Sequence, residues 1–457
     1  MGDENLGSSE KCNSSKKFKV IIIGCGIAGL SSANYLLQNG MEDFLILEAR
    51  KRIGGRIISI PMKSHNVELG ANWIHGVLGN PIFELAMSHN LVNIINIPKP
   101  HKVIAATENG KQVPFGILHE IHEAYVCFLR RCEEYFLCQY LPPPDIHSVG
   151  EHINLEATLY LERLPSSEEK KLRRLIFDCL LKRETCISGC HSMDEVDLLE
   201  LGSYTELQGG NIMIPSGFSS ILDPLKKNIN DKKILTNHAV RKIIWDSDVN
   251  QSLKSLDDTD KIYLEYERPF LNPDITEIML LWETPTTPED MSQSWYKKIY
   301  SFSKVSETLL LGWVSGKEAE YMETLSMEEV AETCTKILRK FLNDPFVPEP
   351  QKCVCTSWRE QPYTRGSYTA IAVGASQSDV ESLAQPIFRN VHDKKPVLLF
   401  AGEHTHSSYY STAHGAYLSG QIAARRLLAP DEASEGTLDC PDSADLNSWI
   451  QGIQLEG

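Results

Sequence analysis

A glycine-rich turn near the N-terminus constrains the fold of this chain more than any other feature of the sequence. The hexapeptide Gly24-Cys25-Gly26-Ile27-Ala28-Gly29 follows an apolar, β-branched run, Phe18 to Ile23, and precedes a segment with helical spacing, Leu30 to Gln38. A second apolar run, Phe44 to Leu47, comes next. Strand, glycine-rich turn, helix and strand in this order predict a βαβ unit of about thirty residues, and therefore an α/β fold.

The spacing of the glycines predicts a dinucleotide-binding site. Gly24 permits the tight turn, Gly26 lets the backbone approach a pyrophosphate, and Gly29 lets helix and strand pack closely. The free amides and positive dipole of the helix N-terminus then favour the phosphates. Glu48 ends the second strand, where a carboxylate accepts hydrogen bonds from the adenosine ribose. The hexapeptide alone would also fit an incidental turn, but the acid in register with it favours a dinucleotide.

The next loop bears on whether the dinucleotide is NAD or FAD. Arg52-Ile53-Gly54-Gly55-Arg56 places two glycines between arginines, so that the loop can lie against phosphates and bring guanidinium groups to them. With this loop the sequence resembles the flavin-dependent amine oxidases, whose second signature is R-x-G-G-R. The resemblance implies FAD as the cofactor, bound by Arg52, Gly54, Gly55 and Arg56. Because no cysteine motif indicates a covalent link, we expect the FAD to be noncovalent.

The segment after this loop extends the resemblance. Residues 68–76 read Glu-Leu-Gly-Ala-Asn-Trp-Ile-His-Gly. They are similar to the E-L-G-A-x-W-I-H-G segment of the animal polyamine oxidases, which lines the flavin and the substrate tunnel. The residues implied at the cofactor are Gly70, Ala71, Asn72 and Trp73, and those implied at the substrate are Asn72 and His75. Asn72 departs from its relatives, where His or Thr stands, so the preference between acetylated and free polyamines stays open.

The C-terminal part carries two further matches. Ala401-Gly402-Glu403-His404-Thr405 follows an apolar run, and residues 410–416 begin a helix. The resemblance implies that Glu403 meets the ribityl chain, while Thr412 and Ala413 lie at the helix N-terminus that faces the flavin. Thr412 occupies the position where many amine oxidases have a second aromatic wall, and the animal polyamine oxidases share the threonine.

The stretch from Trp358 to Tyr368 is similar to the family's W-x3-P-Y-x2-G-S-Y segment. The resemblance implies that Trp358 contacts the cofactor and that Tyr368 forms an aromatic wall beside the flavin. Without the surrounding match, Tyr368 would fit an ordinary core tyrosine equally well.

Two further positions are implied at the reaction itself. Lys261 opens a strand similar to the family's K-I-x-L-x-F-x-x-P-F strand, whose lysine holds a water against flavin N5. Glu184 and Ser188 match a segment that lines the substrate tunnel, where a carboxylate could pair with a substrate ammonium. The alternatives are a solvated lysine at a strand end and a surface glutamate.

One block of the family pattern is missing. Relatives follow the strand resembling residues 240–245 with another strand and a helical connection, whereas only a polar stretch, residues 246–260, stands here. Loss of that block would uncover a sheet edge and part of the cofactor cleft. A catalytically silent isoform with impaired FAD binding is therefore the alternative to an active enzyme.

At 457 residues the chain is too long for one ordinary core, so we expect two domains. The first is a discontinuous, Rossmann-like FAD-binding domain and the second a mixed α+β substrate domain. The FAD domain takes 18–90, 201–246 and 351–430, the substrate domain 91–200 and 261–350, the short connection 247–260, and the tails 1–17 and 431–457. Within them the patterns predict paired strands over 233–245, strands over 261–266, 308–314 and 397–401, and helices over 119–135, 167–181, 326–342 and 414–428.

Composition excludes some classes of function. The formal net charge of -16 argues against nucleic acid and is compatible with a cationic substrate. The Cys186, Cys190 and His191 cluster, the Cys353-x-Cys355 pair and His404-x-His406 lack partners at metal-site spacing, so we expect no metal. Without a signal peptide or membrane span we expect a cytoplasmic protein, as a monomer or weak homo-oligomer.

The sequence thus predicts FAD-dependent oxidation of spermine or its N1-acetylated relatives at a secondary amine. The products would be a shorter polyamine, an aminoaldehyde and hydrogen peroxide, with O2 as the second substrate. A histone-lysine demethylase is disfavoured because the added helical modules of such relatives are absent and the acidic charge opposes DNA contact.

Overall fold

The computed structural model describes residues 17–63, 65–93, 102–244, 259–284, 290–390, 392–393 and 395–428. Its strands are β1 Val20–Ile23, β2 Phe44–Leu47, β3 Ser59–Met62, β4 His65–Glu68, β5 Ile74–His75, β6 Lys102–Thr107, β7 Asn211–Ile212, β8 Ile234–Leu235, β9 Thr259–Glu265, β10 Ile275–Leu281, β11 Ser301–Ser306, β12 Leu309–Ser315 and β13 Lys352–Cys355. Its α-helices are α1 Ile27–Gln38, α2 Pro81–Ser88, α3 Phe115–Leu137, α4 Val149–Glu162, α5 Ser167–Ser188, α6 Leu222–Lys226, α7 Lys317–Glu323, α8 Met327–Leu342, α9 Gln377–Leu383 and α10 Ala413–Leu428. Together they form a mixed α/β structure. In the part of the chain that the structure describes, no helix is both long and apolar enough to cross a membrane.

The predicted βαβ unit is present. Strands β1 and β2 pair in parallel, from Val20 opposite Phe44 to Ile23 opposite Leu47, and β8 extends the sheet beyond β2. Gly24 donates from its amide to the Leu47 carbonyl at 2.7 Å and takes a φ of 98°, a conformation that favours glycine. A Cβ at Gly29 would lie 2.1 Å from the Gly24 carbonyl oxygen, so helix α1 can start this close to the strand only without a side chain there.

Helix α1 packs against α10, which brings the first and last described segments together. The Ser31 hydroxyl donates to the Tyr417 carbonyl at 2.7 Å, and the Ser32 hydroxyl to the Gly420 carbonyl at 2.8 Å. A Cβ at Gly420 would lie 2.2 Å from the Ala28 carbonyl oxygen, which shows how closely the two backbones approach. One hydrophobic core joins these helices with β2 and α6.

The larger sheet has six strands, in the order β13-β9-β12-β11-β10-β6, and carries a hydrophobic core on each face. One face packs on α7 and α8 through Ile262, Ile278 and Leu338, and the other on α3, α4 and α5 through Met279 and Phe177. All seven residues of β9 are buried. The β3–β4 hairpin packs on the same sheet near Tyr263.

The helix predicted over 326–342 is present within one residue of its predicted bounds. Helix α8 begins after Ser326, whose hydroxyl accepts from the Glu329 amide while the Glu329 carboxylate accepts from the Ser326 amide. Helices α3 and α5 are confirmed but longer than predicted, and β9, β12 and α10 lie within one to two residues of their predicted bounds.

Two strand predictions are wrong. Only Ile234–Leu235 of the predicted strands over 233–245 is extended and paired, and residues 237–244 are exposed without regular structure; residue 245 lies outside the described residues. In the predicted strand over 397–401, Leu398 makes only an isolated bridge with Ile387. A strand needs a neighbour to complete its ladder. The first segment pairs with β2 only at Ile234 and Leu235, followed by hydrogen bonds from the Asn237 and His238 amides to the Arg50 and Glu48 carbonyls, and among the described residues neither segment has a longer ladder. The connection over 247–260 falls outside the described residues up to residue 258.

Candidate functional site

The predicted ribose acid lies beside the glycine-rich turn. Glu48 is only 4% exposed, and its two carboxylate oxygens accept hydrogen bonds from the Cys25 and Arg50 amides, each at 2.8 Å. The carboxylate is thus fixed at the carboxyl end of β2, next to the start of α1. This is the edge at which parallel α/β sheets bind nucleotides.

The two glycine-rich loops face each other. The Gly54 amide donates to the Cys25 carbonyl at 2.8 Å, which ties the second loop to the first. An ideal Cβ at Gly26 would meet only the Gly55 Cα, at 4.0 Å, and one at Gly55 would lie 3.5 Å from the Gly26 Cα, so the two loops form a cradle of side-chain-free backbone. Burial lowers the pKa of the Arg52 guanidinium, which donates to the Ile53 carbonyl at 3.2 Å.

Arg56 connects this cradle to the C-terminal segment. Its Nη1 lies 2.8 Å from Glu403 Oε1 and 2.7 Å from the Ser367 carbonyl oxygen. The other carboxylate oxygen of Glu403 accepts from the Ser411 amide at 2.8 Å. Burial alone would raise the pKa of Glu403, but the Arg56 charge and these hydrogen bonds hold it below its ordinary value. Residues far apart in sequence are therefore fixed at one place as an ion pair whose carboxylate is buried and whose guanidinium is partly exposed.

Lys261 is the most perturbed cation of this region. It is 3% exposed, and its ammonium donates to the carbonyls of Glu68 and Gly70, both at 2.7 Å. The Nζ atom also lies 4.8 Å from the centre of the Trp313 ring. Burial lowers the pKa of Lys261 to about 7, against the opposing influence of Glu68. The group can therefore hold or release a proton near neutral pH, which a solvated lysine cannot.

The segment after Glu68 runs past Lys261. The Ala71 amide donates to the Arg56 carbonyl at 3.1 Å. Trp73 stacks on Trp313 with 6.2 Å between ring centres, and its edge faces His75. His75 Nδ1 lies 3.0 Å from Asn211 Oδ1.

Trp358 and Asn72 are the two other residues predicted at the cofactor near this segment. A Cβ at Gly70 would come 3.3 Å from Trp358, so the tryptophan packs directly on this backbone. Asn72 is partly buried between these elements. Trp358 therefore packs on the same backbone, at Gly70, to which Lys261 donates. Asn72 is close to Gly70 in the chain, which is the reason for grouping it with them.

Two of the four predicted substrate residues, Glu184 and Ser188, lie at the end of α5. The Tyr368 phenol donates to the Cys186 carbonyl, and its ring packs against Gly189, where a Cβ would lie 2.8 Å from Cε2. Burial raises the pKa of Glu184 to about 7, although Arg183 opposes the shift. Ser188 follows one helical turn later on the same face. Tyr368 is thus adjacent to the helix end that carries both residues.

Thr412 has a local structural role in addition to the predicted one. Its hydroxyl accepts from the Gly415 amide at 2.9 Å, which caps helix α10 just before Ala413. His414, 2% exposed, follows in the first turn, and burial lowers its pKa to about 3. His406 is also buried, with a pKa of about 4 for the same reason.

Trp313 and His414 were not singled out from the sequence, and His406 was considered there only as a metal ligand. Trp313 lies opposite Lys261 in the β12–β9 register, which no local pattern reveals. The two histidines show their significance only through burial, and their Nε2 atoms have no hydrogen-bond partner among the described protein atoms. Within the same residues, no group of three His, Cys, Asp or Glu side chains could hold a metal ion.

Two glycine loops and a fixed acid at the strand end form a candidate nucleotide cofactor site, and a buried lysine beside stacked tryptophans lies next to it. The sequence matches the family of flavin containing amine oxidoreductases over residues 27–260 and 255–428. The chain belongs to this family, and its cofactor is FAD. The backbone cradle between Gly26 and Gly55 and the acid at Glu48 fit that cofactor.

Curated relatives resemble the chain along most of its length. It is 30% identical to "Peroxisomal N(1)-acetyl-spermine/spermidine oxidase" of Bos taurus, with 90% of this chain and 94% of the relative covered. The protein of the same name from Homo sapiens is also 30% identical, over 90% and 95%. "Probable polyamine oxidase 5" of Arabidopsis thaliana is 24% identical, over 90% and 98%. The bovine alignment spans 486 positions, more than the 457 residues of this chain, so the relative has residues that this chain lacks.

Proposed function

We propose that the protein is an FAD-dependent polyamine oxidase. It would cleave spermine, or N1-acetylated spermine or spermidine, at a secondary amine to give a shorter polyamine, an aminoaldehyde and hydrogen peroxide. The observation that carries the proposal is Lys261, a buried ammonium of depressed pKa beside Trp313 in a chain of this family. The printed names of the bovine and human relatives support the substrate class.

The proposed cofactor site assigns each loop to a part of FAD. Gly24, Gly26 and Gly29 with the start of α1 would bind the pyrophosphate, and Glu48 the adenosine ribose. Further contacts would come from Arg52, Gly54, Gly55, Arg56, Gly70, Ala71, Asn72, Trp73, Trp358, Glu403, Thr412 and Ala413. The parallel β1-β2-β8 sheet with its crossover helix supports a Rossmann-like domain.

FAD, when bound noncovalently, supplies the acceptor for the hydride that leaves the carbon beside the reacting nitrogen. The chain's own residues orient the amine and manage protons. A hydride donor amine must be neutral, and Lys261 near its pKa can exchange a proton at Nζ without a large free-energy cost. Tyr368 would form one wall of the cleft and Thr412 would hold the start of α10. Asn72, His75, Glu184 and Ser188 would contact the substrate, with Glu184 pairing with a distal ammonium.

The division of the chain, its location and its oligomeric state belong to the same proposal. The FAD domain would take residues 18–90, 201–246 and 351–430, and the α1–α10 packing supports joining its first and last parts. The substrate domain would take 91–200 and 261–350. We propose a cytoplasmic monomer or weak homo-oligomer; fluorescence imaging of the tagged chain and light scattering test the two points separately.

The deciding experiment follows flavin absorbance by stopped flow after mixing with acetylspermine, spermine or benzylamine. Bleaching by the polyamines supports the proposal, and bleaching by benzylamine alone contradicts it. A protein that purifies with FAD but bleaches with none of the three would be the silent isoform. Lys261→Met should slow bleaching about tenfold while FAD stays bound.

Lys304 offers a matched control on the same sheet. Lys304 lies on β11, away from the cofactor loops, and its ammonium donates to the Pro273 carbonyl at 2.7 Å. Lys304→Met should bleach at the wild-type rate. Equal slowing in both variants would mean that the loss of a lysine from this sheet, and not the position beside Trp313, explains the effect.

A further inference from the structure

Two cysteines lie side by side on the edge strand of the six-stranded sheet. Cys353 and Cys355 are separated by one residue on β13, so their side chains point to the same face, and their sulfur atoms are 3.8 Å apart. Both are partly exposed to solvent. Within the described residues, β13 pairs only with β9, which leaves its other edge accessible.

The surroundings of the pair distinguish its two thiols. Cys355 donates from its amide toward Met327 Sδ at 3.3 Å, and the fully buried Cys334 of α8 packs in the same core. A hydrogen bond to Cys353, followed by burial, raises the pKa of the Cys355 thiol. Because Cys355 is also held against Met327, we assign the attack on peroxide to Cys353 and the resolving step to Cys355.

We propose that Cys353 and Cys355 form a peroxide-sensitive dithiol that closes reversibly into a disulfide within one strand. The Cys353 thiolate attacks one peroxide oxygen, the O–O bond breaks, and a sulfenic acid and one water form. The Cys355 sulfur then attacks the sulfenic sulfur: the S–S bond forms, the S–O bond breaks, and a second water leaves. Two thiols are oxidised by two electrons, and one hydrogen peroxide is reduced to two waters.

The geometry of the strand makes this disulfide possible but reducible. Two residues along a strand advance about 6.6 Å, which lies at the upper end of the Cα separations of roughly 4.4–6.8 Å that disulfides span. The sulfur atoms must still approach from 3.8 Å, so the strand has to pucker locally. An edge strand bonded on one side can do so, and the resulting strain favours reduction by cellular thiols.

Oxidation would reach the proposed active site through one residue. Thr356 follows the pair directly; its hydroxyl accepts from the Lys261 amide at 2.8 Å, and its own amide donates to the Lys261 carbonyl at 3.0 Å. Puckering of β13 therefore shifts the backbone that holds Lys261. This consequence rests on the proposed function, whose product is hydrogen peroxide, whereas the modification itself does not.

The test treats the reduced full-length protein with equimolar hydrogen peroxide, blocks free thiols with iodoacetamide and maps tryptic peptides by mass spectrometry. Trypsin cleavage after Lys352 and Arg359 places both cysteines on one peptide, residues 353–359. We expect this peptide to lose two hydrogens and resist alkylation, and dithiothreitol to restore both alkylation sites. A disulfide from Cys353 to Cys334, irreversible sulfonic acid in the wild type, or an unreacted peptide would overturn the proposal.

Two cysteine variants test the proposed disulfide, and a third serves as the control. Cys353→Ser and Cys355→Ser should each abolish the closed peptide, whereas Cys138→Ser, at an exposed cysteine on another element, should leave it unchanged. The activity arm compares polyamine bleaching rates before and after peroxide. We expect a several-fold slowing that dithiothreitol reverses and that Cys355→Ser lacks. A disulfide without any rate change would retain the modification site and refute its coupling to Lys261.

Discussion

The two sheets of this molecule differ in how completely they are covered. In the six-stranded sheet, every residue of β9 is buried and apolar cores lie on both faces. In the β1-β2-β8 sheet, α1 and α10 cover one face, but Ile21 and Ile23 of β1 are 52% and 50% exposed. Buried parallel sheets are normally covered on both faces, so among the described residues the β1-β2-β8 sheet lacks a layer that the other sheet has.

The same difference explains where the strand predictions failed. Residues 240, 243 and 244 and residues 397 and 400 are exposed apolar side chains in the two segments that were predicted as strands. Each has the composition of a strand, but within the described residues the first pairs only through β8 and the second only through an isolated bridge. The block that the family pattern predicts between residues 246 and 260 would belong to this region. We therefore expect the stability of the β1-β2-β8 sheet to depend more on bound FAD than that of the six-stranded sheet, by the linkage between FAD binding and folding.

Matched isoleucines test the comparison most strongly. Ile278 on β10 is fully buried, whereas Ile23 on β1 is half exposed. Ile278→Ala should lower the free energy of unfolding by about 2–5 kcal/mol, because it leaves a cavity between sheet and helices. Ile23→Ala should cost about 1 kcal/mol or less. Urea unfolding with FAD present measures both, and equal losses would mean that the two sheets are covered alike.

Two glycines separate cofactor binding from folding. A Cβ at Gly29 would lie 2.1 Å from the Gly24 carbonyl oxygen, so Gly29→Val should destabilise the βαβ unit by about 3 kcal/mol and lose FAD. A Cβ at Gly26 meets only Gly55, so Gly26→Val should keep the fold and lose FAD by filling the cradle. Flavin content and far-UV circular dichroism are the measurements. Stoichiometric FAD in Gly26→Val would remove this turn from the cofactor site.

The sequence predicted the local units of the fold but not what depends on distant partners. The apolar run Phe44–Leu47 and the helical pattern over 326–342 carry their signals within a few residues, and both elements lie within one residue of their predicted bounds. The Arg56–Glu403 ion pair joins residues that the sequence placed near the cofactor only through the family resemblance. Trp313 faces Lys261 because of strand register, which is set by tertiary packing and leaves no local pattern.

Two buried histidines predict how the stability of the native protein changes at acid pH. His406 and His414 have pKa values of about 4 and 3 in the native protein, compared with about 6.5 when exposed. Between pH 6.5 and 4 the unfolded chain binds protons that the native chain does not, so native stability falls as pH falls. The expected loss at pH 5 is about 2 kcal/mol for each histidine.

Thermal unfolding between pH 7.5 and 5 measures this dependence, and other acids of the molecule contribute to the total slope. His414→Gln should therefore be compared with His119→Gln, a variant of a histidine whose side chain is 61% exposed. We expect a flatter pH dependence only in His414→Gln. The same slope in both variants would show that His414 is protonated in the native state.

The smallest expected effect concerns Glu184, on the better-covered side of the molecule. Burial raises its pKa to about 7, so its carboxylate becomes charged as pH rises from 6 to 8. Only the charged form can pair with a distal substrate ammonium, and KM for acetylspermine should therefore fall several-fold across this window. Glu184→Gln should raise KM at pH 8, leave kcat near the wild-type value and remove the pH dependence, since it removes uniform binding.

Steady-state kinetics from pH 6 to 8 measures this, with Glu168→Gln at the start of α5 as the matched control on the same helix. The control should keep both the low KM and its fall with pH. The proton that leaves the substrate's reacting nitrogen affects kcat as well as KM, so a change confined to KM is the signature of the Glu184 contact. If Glu184→Gln retains the wild-type pH dependence of KM, the carboxylate that binds the substrate lies elsewhere in the cleft, and the end of α5 has only a structural role.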